Sequence, residues 1–237
     1  MRSLLMESAK ELNIFVNEEM TEQFFLYKDL LLEWNEKINL TAITDEREII
    51  LKHFIDSISL LSVVAPQKNM SIVDVGTGAG FPGIPIKIVF PECKMTLVDS
   101  LNKRIKFLEE VTTKLALQNI HSVHGRAEDV GQDKKHREKY DLCVSRAVAN
   151  LAVLAEFCLP MVKIGGEFIS LKGPDIADEL STAKTAINIL GGEISDIKKL
   201  KIPNSDIVHS IIVIKKLRQV PSKYPRKAGV ITKKPIS

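Results

Sequence analysis

From residue 71 onwards, short apolar runs alternate with stretches of helical periodicity, and this alternation restricts the fold more than any other feature. The apolar runs are short and rich in Val, Ile and Leu, which is typical of buried strands. Strands that alternate with helical stretches predict βαβ units, in which helices cover both faces of a parallel sheet. Strands are predicted at 72–75, 95–98, 120–123, 141–144 and 168–171, and helices near 84–90, 102–117, 150–163 and 175–190.

Two further strand-like runs follow at 192–202 and 207–215. Only a short Pro-Asn-Ser turn separates them, which leaves no room for a crossover helix. A pair of strands joined so closely must be antiparallel. We therefore predict a mostly parallel, seven-stranded sheet whose last strand is antiparallel.

The first part of the chain predicts helices instead. One helix is predicted to begin at Asp45, whose side chain caps it. The Glu48 side chain reaches back to Asp45 and completes a capping box. Pro66 ends this helix. The preceding stripe has spacings of three and four residues, so it lines one face of a helix; it consists of Phe24, Tyr27, Leu31, Trp34 and Ile38.

The length of 237 residues suits one globular domain with an appendage. Three parts are predicted: an N-terminal helical region at 1–66, an α/β domain at 67–217 and a basic tail at 218–237. The formal net charge is +3, but residues 215–237 contain eight Lys and Arg and no acid, which leaves −5 for the rest. Such a tail is typical of a phosphate-contacting arm or of a solvated, disordered terminus. Its prolines predict an extended, exposed segment.

Cysteine usage and the N-terminus indicate the compartment. Cys93, Cys143 and Cys158 have no CxxC or Cys/His spacing, so neither a disulfide framework nor a metal site is predicted. The apolar start of the chain is broken at Glu7, before a signal sequence could form. No apolar run approaches the roughly 18 residues of a membrane span. We expect a soluble, cytoplasmic protein that does not bind a membrane.

A glycine-rich loop, Gly76-Thr-Gly78-Ala-Gly80, follows the first predicted strand. A loop in that position lies at the ligand-binding edge of a doubly wound sheet. Glycines at Gly76, Gly78 and Gly80 allow sharp turns and close approach of the backbone to a ligand. The loop therefore predicts a site for a nucleoside-containing cofactor.

Two cofactors compete for this loop. Residues 78–83 match the GxGxxG dinucleotide fingerprint, but the match begins two residues late relative to the strand, and in the strand's frame position 81 is Phe. Pro82 also removes an N–H group that would hold a pyrophosphate. S-adenosylmethionine carries no phosphate and needs close approach without clustered N–H donors. The frame therefore favours S-adenosylmethionine.

Two more segments complete the predicted cofactor site. The second strand ends at Asp99, followed by Ser100, and an acid there accepts hydrogen bonds from ribose hydroxyls of either cofactor. After the third strand, Ala127 and Glu128 are placed where an adenine edge would lie. Arg126 and Asp129 beside them are equally typical of a solvated loop.

Segments along nearly the whole chain resemble the bacterial family of 16S rRNA guanine-N7 methyltransferases, RsmG or GidB. The glycine loop and Asp99 are common to many methyltransferases, whereas the N-terminal and C-terminal segments are specific to this family. The matching segments are 33–41, 52–57, 74–83, 98–104, 126–128, 145–147 and 223–227.

The resemblance implies a class I S-adenosylmethionine-dependent methyltransferase fold and methylation at N7 of a guanine in the 530 loop of 16S rRNA. It implies cofactor contacts at Gly76, Phe81, Ala127, Glu128 and Arg146. It also implies a monomer that acts on 16S rRNA or on a precursor of the small ribosomal subunit. The basic tail becomes an rRNA-contacting arm, with phosphate contacts expected from Lys223, Arg226, Lys227, Lys233 and Lys234.

The residues agree with this chemistry. Guanine N7 has a lone pair and no proton, so its methylation requires no general base. Residues 145–148 lack the Pro-Pro-aromatic element of amine-directed enzymes, and no cysteine is placed as a nucleophile. Catalysis then depends on in-line positioning, for which Arg146 and Lys172 are candidates, although an ion pair at a loop is the alternative for each.

His53 and Asp56 share one face of a predicted helix. They would either form a hydrogen bond into the core or belong to a lid over the substrate.

Two other functions remain open. A nicotinamide-dependent oxidoreductase is disfavoured by the frame of the loop, by Pro82 and by the lack of a Tyr-x-x-x-Lys pair. The second alternative function is that of a non-catalytic module that has the same fold and binds nucleosides or RNA.

Overall fold

The structure, a computed structural model, describes residues 1–64, 66–146, 149–227 and 229–236. Ala147, which closes one of the family-like segments, and Val148 lie outside the described residues. The centre of the fold is one seven-stranded sheet. Its strands are β1 (Ser71–Val75), β2 (Lys94–Asp99), β3 (Ile120–His124), β4 (Tyr140–Arg146), β5 (Val162–Lys172), β6 (Gly192–Lys201) and β7 (Val208–Lys216).

The strand order is β3-β2-β1-β4-β5-β7-β6. Strands β1 to β5 pair in parallel, whereas β7 pairs antiparallel with both β5 and β6. The predicted fold class is confirmed, including the antiparallel last strand. Because the order reverses between β1 and β4, a crevice opens at the carboxyl ends of these strands.

Helices cover both faces of the sheet. The prediction missed α7, because this helix is short and lies in the charged segment that was interpreted as a loop. The segment predicted as the second helix has α-helical ends around a π-helical centre at Ile49–Ile55. The α-helices are α1 (Arg2–Glu11), α2 (Glu18–Ile38), α3 (Glu46–Glu48), α4 (Asp56–Ser59), α5 (Gly83–Val89), α6 (Asn102–Lys114), α7 (Ala127–Gln132), α8 (Leu151–Cys158), α9 (Ala177–Ile189) and α10 (Val230–Lys233).

Alternation along β1 separates two hydrophobic clusters, because successive side chains of a strand point to opposite faces. Ile72 packs in the cluster with the N-terminal helices, α5 and α6. Val73 and Val75 pack in the other cluster, with α8, α9 and part of the tail. The N-terminal helices therefore share a core with the sheet.

Helix α2 supports the glycine loop from below. Phe24, Tyr27 and Leu31 of the predicted stripe are fully buried, and the Tyr27 hydroxyl donates a hydrogen bond to the Ala79 carbonyl of the loop. The predicted cap at Asp45 is confirmed, since its side chain accepts from the Glu48 N–H at 2.9 Å. The predicted capping box is wrong in its second half, because the Glu48 carboxylate pairs with Lys52 instead.

Most described residues of the tail are exposed, as its prolines predict, but the tail is docked on the domain and does not extend away from it. Four of its apolar side chains are buried, and Arg137 donates to the carbonyls of Val220 and Tyr224, both at 2.9 Å. The prediction of an extended tail failed because it weighed prolines and charge but not the four apolar residues that need burial. These residues are Val220, Tyr224, Ile231 and Ile236.

Within the described ranges, no helix combines the length and apolarity needed to cross a membrane.

Candidate cofactor and substrate site

A cavity of about 700 Å³ opens at the carboxyl ends of β1, β2 and β4. This volume lies within the range of pockets that hold small-molecule ligands. The lining brings together eight of the nine predicted cofactor residues, from segments far apart in the chain: Gly76, Gly78, Phe81, Asp99, Ser100, Ala127, Glu128 and Arg146.

Four of the five backbone N–H groups of the glycine loop, those of Gly76, Thr77, Gly78 and Gly80, are bonded within the protein. Those of Gly76 and Thr77 donate to the Val98 carbonyl of β2 at 2.9 and 3.1 Å. The Gly78 N–H donates to the Asp99 carboxylate at 2.9 Å, and the Gly80 and Phe81 N–H groups donate to the Thr77 carbonyl. A pyrophosphate needs a cluster of such donors. The loop thus lacks the feature that a nicotinamide dinucleotide would require.

Gly78 is the glycine whose missing side chain leaves space for a ligand. It has φ +61, and a Cβ built there has only the Gly76 carbonyl as a neighbour, at 4.0 Å. The backbone at Gly78 therefore faces open cavity, which a side chain would fill. This geometry fits a cofactor in close contact with the loop.

Gly80, by contrast, was predicted to contact the cofactor and does not line the cavity. A Cβ there would lie 2.5 Å from Ile84 Cδ1 and 2.7 Å from the Tyr27 hydroxyl oxygen. The prediction is wrong because Gly80 faces the core, where it allows α2 and α5 to approach the loop. The spacing of the three glycines does not distinguish these two roles.

Asp99 is buried at the cavity wall and holds the loop. Its Oδ2 accepts from the Gly78 N–H, and its Oδ1 accepts from the Leu101 N–H at 2.9 Å. Each carboxylate oxygen has two lone pairs. Oδ2 also accepts from Arg104 Nη1, so it is Oδ1 that retains capacity for a ribose hydroxyl. Arg104 lies 3.4 Å from Oδ2 and lines the same cavity. Asp99 can therefore position the loop and a ribose together.

Asp74 is a buried acid beneath the loop that sequence reasoning did not single out. Its Oδ2 accepts from the Thr77 hydroxyl at 2.6 Å and from the Gly83 N–H at 2.8 Å. Its Oδ1 is buried and has no hydrogen-bond partner in the described part of the chain. Burial raises the pKa of Asp74 to about 6, although these two hydrogen bonds oppose the shift. In the sequence, the only indication of this role is that Asp74 is an acid inside an apolar predicted strand.

Arg146 ends β4 and is held from several sides. Its guanidinium donates to Asp56 Oδ2 at 2.8 Å, to the Lys52 carbonyl at 3.1 Å and to His53 Nδ1 at 3.3 Å. It also lies 5.0 Å from the centre of the Phe81 ring. The ion pair that was the alternative for Arg146 is present, yet the residue still lines the cavity. The positioning role of Arg146 therefore stays a prediction beside the observed ion pair.

His53 is neutral in this arrangement. Because an arginine can only donate, His53 Nδ1 accepts, and its Nε2–H faces the Thr41 hydroxyl at 2.9 Å. Burial and the Arg146 cation lower the pKa of His53 from 6.5 to about 4. The imidazole also stacks on Phe81 with ring centres 4.5 Å apart. The predicted hydrogen bond from this helix face is confirmed, and it joins the N-terminal region to the cavity.

The low pKa of His53 makes stability depend on pH. Between pH 6.5 and about 4, His53 binds a proton in the unfolded chain but not in the folded chain. Lowering the pH through this interval therefore destabilises the fold. We expect the stability advantage of the native protein over His53→Gln to shrink by up to about 3 kcal/mol across this interval. Urea unfolding of both proteins at several pH values measures it. A difference independent of pH would contradict a neutral His53.

The other predicted residues have different surroundings. Lys172 lies in a neighbouring cavity, where its ammonium donates to Glu179 Oε1 at 2.7 Å and to the Ala149 carbonyl. The tail, which was predicted only to contact RNA, contributes Gly229 and Thr232 to the lining of the cofactor cavity. Of the five predicted RNA contacts, four are exposed: Lys223, Lys227, Lys233 and Lys234.

Arg226, the fifth of them, is wrong as a free phosphate contact. Its side chain donates to Glu156 through Nε at 2.9 Å and Nη2 at 2.7 Å, and its backbone N–H donates to the same carboxylate. Glu156 is fully buried on α8. A buried carboxylate requires a partner, so Arg226 is committed to docking the tail.

The sheet order and the loop geometry define a class I methyltransferase fold with a nucleoside-cofactor site. The crystal structure of TrmN from Thermus thermophilus matches with a TM-score of 0.54 at 16% identity, over 68% of this chain and 48% of that one. That of M. jannaschii TYW2 in complex with AdoMet matches with 0.56 at 14% identity, over 74% and 80%. Identities this low establish the fold alone.

Closer relatives specify the family. The model of rRNA small subunit methyltransferase G (GidB) matches residues 20–208. Ribosomal RNA small subunit methyltransferase G from Acetivibrio thermocellus is 55% identical over 100% of this chain and 97% of its own, and that from Alkaliphilus metalliredigens is 51% identical over 99% and 98%. The chain belongs to the family of rRNA small subunit methyltransferase G.

The predicted fold class and family are therefore confirmed. Membership of a methyltransferase family also agrees with S-adenosylmethionine, the cofactor favoured by the frame of the glycine loop. Apart from the corrections at Gly80 and Arg226, the residue-by-residue roles and the boundaries at 66 and 217 stay predictions.

Proposed function

We propose that this chain transfers the methyl group of S-adenosylmethionine to N7 of a guanine in the 530 loop of 16S rRNA, free or in a small-subunit precursor. The observation that carries the chemistry is that the groups near Arg146 which resemble bases are already engaged. His53 has a partner at both ring nitrogens, and Asp56 is held by Arg146 and His209. Among the described residues, the histidine and the carboxylate in direct contact with Arg146 are thus both engaged, which suits an acceptor that has a lone pair and no proton.

The residues present suit the cofactor in three places. The backbone at Gly78 allows close contact, Asp99 Oδ1 has a lone pair for a ribose hydroxyl, and Ala127 and Glu128 form the wall beyond them. When bound there, S-adenosylmethionine supplies a methyl group activated by its sulfonium charge. Arg146 and Phe81 form the wall on the β4 side, so we assign them to orienting the reactants.

Catalysis then rests on placement. The N7 lone pair forms the new N–CH₃ bond while the S–CH₃ bond breaks and its electron pair stays on sulfur, and no proton moves. A rigid frame that aligns N7 with the methyl group supplies roughly 7–11 kcal/mol of such a barrier. Arg146, held by three hydrogen bonds, belongs to that frame.

Labelled methyl transfer tests the function. The protein is incubated with radiolabelled S-adenosylmethionine and small-subunit RNA or particles from cells that lack the enzyme, and the label is mapped by cleavage at 7-methylguanine. We expect one labelled guanine, in the 530 loop. Label at another base or atom, or no label, would disprove the assignment, and comparing RNA with particles identifies the substrate.

The exposed lysines of the tail are assigned to RNA phosphates. Neutralising Lys227 and Lys233 to Gln should lower the slope of log affinity against log salt by roughly 1.4 to 1.8, since each lost phosphate contact removes about 0.7 to 0.9. Lys199→Gln with Lys201→Gln is the matched control, because both lysines are exposed on β6. Filter binding across salt concentrations measures the slopes. Equal slopes for the two pairs would refute the arm.

A further inference from the structure

A second cavity, of about 470 Å³, adjoins the cofactor cavity at the carboxyl ends of β4 and β5. The two cavities share His53 and Arg146, which therefore stand between them. The other lining residues come from the π-helix and the first residue of α4, from β5 and the loop after it, and from the start of β7 with the residue before it: Lys52, Asp56, Leu171, Lys172, Gly173, Ile207 and His209.

This cavity is rich in hydrogen-bond donors that are already positioned. The Arg146 guanidinium has five N–H groups, and its three recorded bonds leave two. The Lys172 ammonium has three donors and uses two of them. These groups can bond a ligand without first being reoriented.

The donors match one purine better than the other. Beside N7, guanine presents the acceptor O6, whereas adenine presents the donor N6–H₂. Arginine and lysine can only donate, so they complement O6 and leave an adenine amine unpaired. An unpaired buried polar group is unfavourable. The apolar lining from Leu171 and Ile207 adds contact area for a planar base.

The charges around this cavity are also balanced. Lys52 pairs with Glu48, Arg146 with Asp56 and Lys172 with Glu179. Methyl transfer moves one positive charge from sulfur to the guanine ring. An unpaired cation beside the ring would oppose that shift, but each cation here has its own carboxylate.

We propose that this second cavity receives the target guanine, with O6 accepting from Arg146 or Lys172 and N7 directed past His53 towards the cofactor cavity. The proposal rests on the proposed function and adds the place and the selectivity of base recognition. Arg146 is then a specificity residue as well as part of the cofactor wall.

Filling the cavity tests the location. Gly173 lines it, and a Cβ built there meets no atom within 4 Å, so Gly173→Phe adds bulk without a clash. We expect kcat/KM for rRNA to fall at least 100-fold, while the Kd for S-adenosylmethionine, measured by titration calorimetry, changes less than twofold. Ala177→Phe, at an exposed position on α9, is the matched control and should retain activity.

Two results would overturn the location. Unchanged methylation by Gly173→Phe would show that the base binds elsewhere, and loss of S-adenosylmethionine binding would show that this cavity belongs to the cofactor site. If the native protein methylates no rRNA at all, the proposed function fails instead, so the two failures are distinguishable.

Base substitution tests the selectivity. Small-subunit RNA is prepared with 2-aminopurine, which keeps N7 but lacks O6, at the target position. We expect methylation by the native protein to fall at least tenfold relative to guanine, with the affinity for RNA unchanged in filter binding. Equal rates for the two bases would overturn the role of O6.

Discussion

Replacing Gly78 with Val abolishes cofactor binding and leaves the fold intact; this is the expected result with the largest effect on activity. The side chain would enter the space that the structure leaves open at this position, where its nearest neighbour is 4.0 Å away. The cofactor and a valine cannot occupy that space together. We expect affinity for S-adenosylmethionine to fall by more than 100-fold in titration calorimetry.

Gly165→Val is the matched control for backbone strain. Gly78 and Gly165 have φ of +61 and +84, and neither would bring a new Cβ within 3.4 Å of another atom. Each valine should destabilise the fold by about 1–2 kcal/mol, because side chains disfavour this backbone conformation. Only the Gly78 variant should lose the cofactor. Equal affinities in the two variants would place the cofactor elsewhere.

Gly80→Val separates the two roles of the loop further. Its side chain would collide with Ile84 and Tyr27 in the core. Overpacking of this kind costs about 1–3 kcal/mol in addition to the backbone strain. Thermal unfolding should therefore show a larger loss of stability for this variant than for Gly78→Val.

Removing the Arg226 side chain with Arg226→Ala should destabilise the protein by about 3–5 kcal/mol, the second large effect. The reason is that Glu156 is fully buried and would lose its charged partner. The tail should detach, and because Gly229 and Thr232 line the cofactor cavity, affinity for S-adenosylmethionine should fall as well. Urea unfolding and titration calorimetry measure the two effects.

Two variants control this experiment. Lys227→Ala removes the neighbouring exposed charge and should leave stability unchanged within about 0.5 kcal/mol. Adding Glu156→Gln to Arg226→Ala removes the unpaired buried charge and should recover part of the loss, as a double-mutant cycle would show. Full stability of Arg226→Ala would mean that the tail does not dock through this pair.

Local sequence was enough to predict the sheet and to select residues of the glycine loop and Asp99 that the structure brings together in one cavity. Strands, caps and glycine turns depend on neighbouring residues, so a short apolar run or an acid at a strand end is visible in the chain itself. The same local reasoning assigned Gly80 to the cofactor and Arg226 to RNA. Both errors have one cause, since the partners of these residues lie far away in the sequence: Tyr27 for Gly80 and Glu156 for Arg226.

The sequence by itself thus determined the fold class, the edge of the sheet that holds the site and the type of cofactor. The tertiary structure alone decided which charges are free and which are committed. Asp56 meets Arg146 and His209 only because the N-terminal helices, β4 and β7 converge at one edge. A buried charge requires a partner. Tertiary contacts decide which residue that partner is, and no periodic pattern along the chain indicates it.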